Sequence, residues 1–416
     1  MNLRDKLDRY TRPAKPETIP APASSLSSSS LCEHSVHTFP ADYRHGTYNF
    51  QPTQKDFPHA LEFLFPNLGN LPLSFDQIAF FDTETTGLSG GIGVCAFLVG
   101  IAYLSPNGFV VEQYLLNDFP SECDLLQKVC AKLDQFRYLA SFNGRSFDVP
   151  VIEGRFVLNG VPQTISKKLH LDMLHPARRL WKHRLKDCSL KTVEADILKF
   201  QRLNDIDGWM IPQAFFSYLR SADRNVMERI LLHNRLDLLT LACITHLILK
   251  AVENPREADF EHGEDWYGLG TLFERRRQVE LAASCFERAL EAGLPDPLGR
   301  NCRKLLSLTH KRAGNWDGAV RLWKEDLSKS GASAIFELEE LAKYYEHRRR
   351  DFASACEACR RAITALEIRE ATSGAGAAAL IFQFEQRLQR LRRKMQREKV
   401  CEKQESMSSY FSSYSF

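Results

Sequence analysis

Apolar and polar positions change their period three times along this chain. Up to about residue 40 there is no period: Pro13, Pro16, Pro20, Pro22 and the run Ser24-Ser25-Leu26-Ser27-Ser28-Ser29-Ser30 offer too little apolar area to offset the entropy of ordering them. A disordered leader is expected over residues 1–40, followed by an N-terminal extension over 41–75. From Ile78 the pattern becomes strand-like. Ile78-Ala-Phe-Phe-Asp-Thr-Glu84 reads as a buried first strand, with Val94 to Leu104 and Phe109 to Leu116 close enough behind it to pair antiparallel. Leu125, Val129, Leu133 and Phe136 then recur at helical spacing before Tyr138-Leu-Ala-Ser-Phe142, which reads as a strand parallel to the first. Strands meandering and then alternating with helices predict an α/β domain over residues 76–252, built on a mixed five-stranded sheet flanked by helices.

Strand signals stop after about residue 255. Trp266, Leu269, Gly270, Phe273, Ala282, Phe286 and Ala289 follow the small-and-large pattern of a tetratricopeptide unit. Ala319 with Trp323, and Ala355 with Cys359 and Ala362, repeat its second helix at slightly wider spacing. An all-α tetratricopeptide-like repeat domain is expected over 253–380, then a basic helix around Arg387–Arg397 and a Ser/Tyr/Phe tail over 381–416.

Composition narrows the class. A chain of 416 residues, 44% hydrophobic, exceeds what one core usually serves, so two domains with tails are expected. The formal net charge of +3 does not mark a polyanion binder, and local charge has to carry that argument. Eleven scattered cysteines, an odd number, fit a reducing cytoplasm better than a disulfide scaffold. The charged start lacks an apolar signal region, and the longest apolar run, Ile92 to Leu104, is broken by Gly93 and Gly100. A cytoplasmic protein without membrane attachment is expected.

Candidate chemistry gathers on acids. Asp82 and Glu84 sit one residue apart at a strand end, so alternation puts both carboxylates on one face. They repel unless a cation lies between them, and hard oxygen donors suit Mg²⁺ or Mn²⁺. The competing reading is a polar strand end entering a glycine-rich loop. Asp148 closes Ser141-Phe-Asn-Gly-Arg-Ser-Phe-Asp148 and reads either as a ligand or as a helix N-cap before Pro150. His233 and Asp237 stack at i,i+4 on a helix, as part of a site or as a solvated pair. Asp172 is a further acid or the cap of a helix starting after Pro176. The basic cluster Arg178, Arg179, Lys182, His183, Arg184, Lys186 and Lys191 suits phosphates, or is a solvated face with Leu180 and Trp181 turned inward. Cys356 and Cys359 have zinc-like spacing but no second pair, and read as packed core.

Phe81-Asp-Thr-Glu-Thr-Thr-Gly87, Asn143-Gly-Arg-Ser-Phe-Asp148 and His233-Asn-Arg-Leu-Asp237 resemble, in order, the three exonuclease motifs of the DEDD superfamily. Within it the chain is most similar to the YprB-type ribonuclease-H-like family, through Leu180-Trp-Lys-His-Arg-Leu-Lys-Asp-Cys-Ser-Leu-Lys-Thr-Val-Glu194 and Asp207-Gly-Trp-Met-Ile-Pro212. The resemblance covers about residues 76–252. It implies a ribonuclease-H-like fold and 3′→5′ hydrolysis of single-stranded nucleic acid, RNA or DNA, with two divalent ions. Asp82 would bridge both, Glu84 and Asp237 would support the first, and Asp148 would reach the second through water. His233, neutral at its ordinary pKa, would be the general base. Here three residues separate His233 from Asp237, the spacing the superfamily uses with tyrosine. Asn143 and Phe147 would meet the terminal nucleotide, with Phe147 alternatively in the core. Arg179, Lys182 and Arg184 would track the backbone. The helical repeats imply a protein partner, and the rival to an enzyme is a non-catalytic adaptor that grips nucleic acid while its repeats recruit that partner.

Overall fold

The structure, a computed structural model, describes residues 32–49, 56–69, 71–87, 93–330, 334–373 and 376–412. They divide into two compact units between Phe260 and Glu261.

The first unit is built on strands β1 (Glu33–Phe39), β2 (Ile78–Thr85), β3 (Ala96–Ser105), β4 (Gly108–Leu115), β5 (Tyr138–Ser141) and β6 (Leu169–Asp172). They form one mixed sheet in the order β1-β4-β3-β2-β5-β6. β1, β4, β3 and β2 pair antiparallel, while β5 and β6 join parallel. The two-residue turn Pro106-Asn107 makes β3 and β4 a hairpin. Connections of helical length then carry the chain over to β5 and β6, which is what parallel pairing requires. Ile78 to Phe81 are buried on both faces of β2, as expected of a central strand.

The α/β class expected from the periods holds, with six strands rather than five. The additional strand, β1, lies inside the stretch expected to be a disordered leader. Its sequence, Glu33-His-Ser-Val-His-Thr-Phe39, is too polar to announce itself. Seven register pairs with β4 and the buried Cys32 order it. The Pro/Ser-rich residues 1–31 lie outside the described residues. The extension over 41–75 contains two short ladders, Arg44–His45 with Tyr48–Asn49 and Asp56–Phe57 with Leu73–Ser74.

Helices α1 (Glu122–Leu133), α2 (Asp148–Leu158), α3 (Leu174–Trp181), α4 (Leu190–Ile197), α5 (Ile211–Ser221) and α6 (Arg224–Glu253) complete this unit. α6 packs on β2 and β3, and one glycine lets it approach. Asp82, Gly100 and Gln113 are cross-strand neighbours in one row over β2, β3 and β4. A Cβ at Gly100 would lie 2.3 Å from Oδ1 of Asn234 on α6. That amide is itself hydrogen-bonded to both Gln113 and Asp82 and cannot yield. Gly100→Ala is therefore expected to destabilise the protein by about 1–3 kcal/mol through overpacking, seen as a lower urea midpoint; an unmoved midpoint would contradict this packing.

The second unit is all helical: α7 (Gly263–Arg275), α8 (Val279–Ala292), α9 (Leu298–Arg312), α10 (Trp316–Ser330), α11 (Ile335–Tyr344), α12 (Phe352–Ser373) and α13 (Ala378–Ser412). From α8 onward each helix packs on the one before it. Trp266, Leu269 and Phe273 on α7 and Ala282, Phe286 and Ala289 on α8 are buried. A Cβ at Gly270 would meet the Phe286 ring at 2.7 Å, so a small residue sets how closely the helices cross. Cys356 and Cys359 lie in a core cluster with Leu338, Leu366 and Leu388, in keeping with the packing role read for them. The basic helix is part of α13, and three of its cations surround the carboxylate of buried Glu346: Arg387, Arg390 and Lys394.

Candidate active site

Three segments distant in sequence build one acidic cluster. β2 ends in Asp82 and Glu84, α2 begins with Asp148, and α6 carries His233, Asn234 and Asp237. Glu84, His233 and Asp237 offer ligand atoms all within 4.8 Å of one another. Their side chains keep 13–18% exposure, so the group is shielded but reachable from solvent. His233 Nε2 lies 3.3 Å from Asp237 Oδ2 and 4.0 Å from Glu84 Oε1. Asp82 and Asp148 stand around this trio and act on it as charges. Glu84, His233 and Asp237 are three of the five residues that the sequence reading gathered at one site, with His233 as the base.

Each acid is held by a different device. Asn234 Nδ2 donates to Asp82 Oδ2 at 2.8 Å, and Asn234 Oδ1 accepts from Gln113 Nε2 at 2.9 Å. Because Gln113 also donates to the Leu231 carbonyl, the orientation of the Asn234 amide is settled, and with it the face of Asp82 that stays open. Asp148 is not an N-cap: Phe147 takes that position without a side-chain bond. Instead Asp148 Oδ1 accepts from the Thr83 amide at 3.1 Å and the Thr83 hydroxyl at 2.6 Å, tying α2 to β2. Asp237 is gripped by Arg202, whose Nη2 donates to Oδ1 while its Nε donates to Glu194. Arg202 is 2% exposed, and Glu194 also meets His45 and Thr240, so this bridge is anchored in the core.

Crowded acids in a shielded place resist ionisation. Burial first, then the charges of Asp237, Asp148 and Glu84, push Asp82 well above the carboxylate range. Glu84 rises to about 8, from burial and from Asp237 and Asp148, with His233 opposing. Asp148 is raised by burial despite its bonds to Thr83. The imidazole departs from the neutral state expected of it. Burial works against the imidazolium, but the 2.7 Å bond from Nδ1 to Asp205 Oδ1 and the charges of Asp237 and Glu84 outweigh it, and the protein groups alone raise His233 to about 9. Asp205, which burial alone would raise, is instead held at about 2 by its bond to His233 and by Arg202 and Lys191. Asp205 thus fixes the ring so that Nε2 faces the acids.

Asp172 does not cap a helix after Pro176, since α3 already starts at Leu174, and its charge is among those that raise Asp148. It is buried, and its carboxylate accepts from the amides of Asn143 at 2.8 Å, Arg145 at 3.2 Å and Leu174 at 3.1 Å. Those bonds stabilise the loop before Asp148, where Asn143 adopts φ 69°. Phe147 is 52% exposed, so it is not a core residue. Arg179 and Lys182 are exposed and Arg184 partly so, while Leu180 and Trp181 are buried.

Arg202, Asp205, Asn234 and Asp172 complete the site without having been read from the sequence in these roles. The usable signals were Asn234, adjacent to His233, and Gly100, the interruption in an apolar run. Nothing local marked Arg202 or Asp205.

The donor set fits a hard divalent cation: carboxylate oxygens and one imidazole nitrogen, with acids that burial and then their neighbouring carboxylates keep from ionising unless a cation joins them. Comparison with known proteins agrees in kind. Residues 79–249 match the RNase_H_2 family, described as RNase_H superfamily. Over 337 residues, 78% of this chain and 79% of the other, the sequence is 31% identical to "Uncharacterized protein YprB" of Bacillus subtilis (strain 168).

Proposed function

The chain belongs to the RNase_H superfamily, and from that premise we propose that it is a metal-dependent 3′→5′ exonuclease of single-stranded nucleic acid. Asp82, Glu84, Asp148 and Asp237 would hold two divalent ions, Mg²⁺ or Mn²⁺. The observation that carries the reading is the convergence of Glu84, His233 and Asp237 within 4.8 Å, with the raised Asp82 beside them. Once ionised, such a concentration of carboxylates opposes a phosphate diester unless cations lie between them. A site that only gripped nucleic acid would gain nothing from it, which disfavours the adaptor reading. When bound, the ions supply charge neutralisation and activation of water for in-line displacement.

The chain's own groups have separable tasks in this reading. Arg202 and Asn234 fix the rotamers of Asp237 and Asp82, so that the donor oxygens need little rearrangement. His233 Nε2, aimed by Asp205, takes a proton from the attacking water once the charges of Glu84 and Asp237, which raise its pKa, are neutralised. Exposed Phe147 offers a ring to the terminal base, a stacking interaction worth about 1–3 kcal/mol, and Asn143 offers hydrogen bonds. Arg179, Lys182 and Arg184 attract the backbone. The helical unit reads as tetratricopeptide-like repeats that receive a protein segment.

Incubation with 5′-labelled single-stranded RNA and DNA, with Mg²⁺, with Mn²⁺ and with chelator, tests the activity. A ladder shortening from the 3′ end, absent in chelator, is expected. Internal cuts or no cuts would refute the assignment.

The protonation pattern gives a second check. Glu84, raised from its ordinary 4.5 to about 8, penalises the folded state increasingly as pH climbs between those values. His233, raised from 6.5 to about 9, stabilises it below 6.5 and loses that contribution as pH rises through 9. Both make the folded state bind more protons than the unfolded one; buried His37 and His170, each lowered to about 4, oppose them only below 6.5, so in chelator stability should fall from about pH 7 to pH 9. Protons and cations compete for the same acids. The rise in Tm on adding Mn²⁺ should therefore be several degrees larger at pH 8 than at pH 5, and equal rises would contradict cation binding at this cluster.

A further inference from the structure

In the helical unit, basic residues recur at one structural position. The C-terminal ends of α7, α9 and the π-helical turn Tyr345–Arg349 that continues α11 carry Arg275-Arg276-Arg277, Lys311-Arg312 and Arg348-Arg349-Arg350. A cation in the last turn of a helix is favoured by the helix dipole, which covers Lys311 and Arg312, but that effect falls off within one turn and does not call for the two arginine triplets that run past their helix ends. These turns are also neighbours in space. Arg312 Nη1 meets Glu274 at 2.5 Å, and Arg275, Arg277 and Arg312 line one cavity, so the first turn adjoins the second. Lys311 Nζ meets Glu340 at 2.5 Å, and the Arg348 guanidinium lies 4.6 Å from the centre of the Trp316 ring, so the second adjoins the third. Beyond the third, Arg390 of α13, half-exposed, clasps Glu346 and extends the same line.

Arg275, Arg277, Arg312, Arg348, Arg349 and Arg350 are all exposed. Among the described residues no ion pair ties Arg275, Arg277, Arg349 or Arg350 to an acid. Seven of the eight basic residues in the three groups are arginine and one, Lys311, is lysine; arginine is the side chain whose planar fork matches phosphate oxygens two at a time. We propose that this edge of the helical unit is a second nucleic-acid site, on which the contiguous arginine turns at the C-terminal ends of α7, α9 and the continuation of α11 track the phosphate backbone of a single strand. A linear array of guanidinium groups across successive helix pairs fits a linear, regularly charged polymer. The proposal takes from the nuclease reading only the class of ligand, and it stands on this unit alone.

The test uses the full chain in chelator, which prevents cleavage, and a fluorescein-labelled single-stranded oligonucleotide read by fluorescence anisotropy. Arg275→Gln, Arg277→Gln, Arg349→Gln and Arg350→Gln combined should weaken binding about 100-fold. The slope of log K against log salt should become shallower by roughly 3, at about 0.7 for each single-strand phosphate that the variant no longer neutralises. Circular dichroism and Tm show whether the fold survives, and the pairs Arg275/Arg277 and Arg349/Arg350 changed separately should each give a partial loss. Unchanged affinity and slope in a folded variant would overturn the proposal. So would tighter binding of a poly-glutamate peptide of equal charge, which would make the ligand an acidic protein segment. If the wild-type chain never cuts yet binds through these arginines, the nuclease reading fails and this one stands.

Discussion

Asp82→Asn is expected to abolish hydrolysis, a loss of more than about 10⁴-fold, while the protein stays folded. The substituent keeps the shape and can still accept from Asn234 Nδ2, which sits 2.8 Å from Asp82 Oδ2. It removes the charge whose neighbours already resist its ionisation, so Tm in chelator should hold or rise. That combination separates a functional acid from a structural one. A structural carboxylate would lose stability and activity together, and persistent cleavage by the pure variant would rule out a role for Asp82 in holding an ion.

The second large effect is at the imidazole. His233→Ala should slow the reaction about 10²–10⁴-fold, the range for loss of a general base. The protein groups alone keep His233 protonated up to about 9, and a base must be neutral. Neutralising Glu84 and Asp237 removes two of the causes of that rise, leaving Asp205 as the orienting partner. The wild-type rate should accordingly climb with pH through the transition in which His233 loses its proton, and the variant should lack that limb. Asp205→Asn should keep the limb but shift it to lower pH, because one of the groups raising His233 has been neutralised. A variant at His233 with the wild-type pH profile would reduce the residue to positioning.

The sequence made the acids legible because they hold marked positions on periodic elements. Asp82 and Glu84 finish the apolar run of β2, and His233 and Asp237 fall one helical turn apart. The α/β class and the all-helical second unit were visible through the change from period two to period 3.6. What stayed hidden depends on tertiary pairing. β1 is written in histidine, serine and threonine and becomes a strand only because β4 offers it a partner. Arg202 and Asp205 lie in Phe200-Gln-Arg-Leu-Asn-Asp205, a segment without a period, where Asn204 adopts φ 57°. Their importance comes from Glu194, His233 and Asp237, between 8 and 35 residues away in sequence. Phe147 illustrates the limit of a residue-type argument. An aromatic beside an apolar run reads as core, yet the loop pinned by Asp172 leaves it half-exposed.

Arg202 also shapes the chemistry of the cluster. It occupies one oxygen of Asp237 and leaves the other facing His233 and Glu84, so Asp237 has one oxygen to offer an incoming ion. The resting position of that carboxylate is set by a salt bridge that is itself anchored on Glu194, and the site is preorganised from the core outward.

Diffraction from crystals soaked in Mn²⁺, collected for the manganese anomalous signal, tests the shared cation site most directly. Anomalous peaks should lie within coordination distance of Glu84 and Asp237, with Asp82 drawn in toward them, and should vanish in Asp82→Asn crystals soaked identically. Manganese bound only elsewhere, or peaks at the cluster that ignore the loss of the Asp82 charge, would contradict the account.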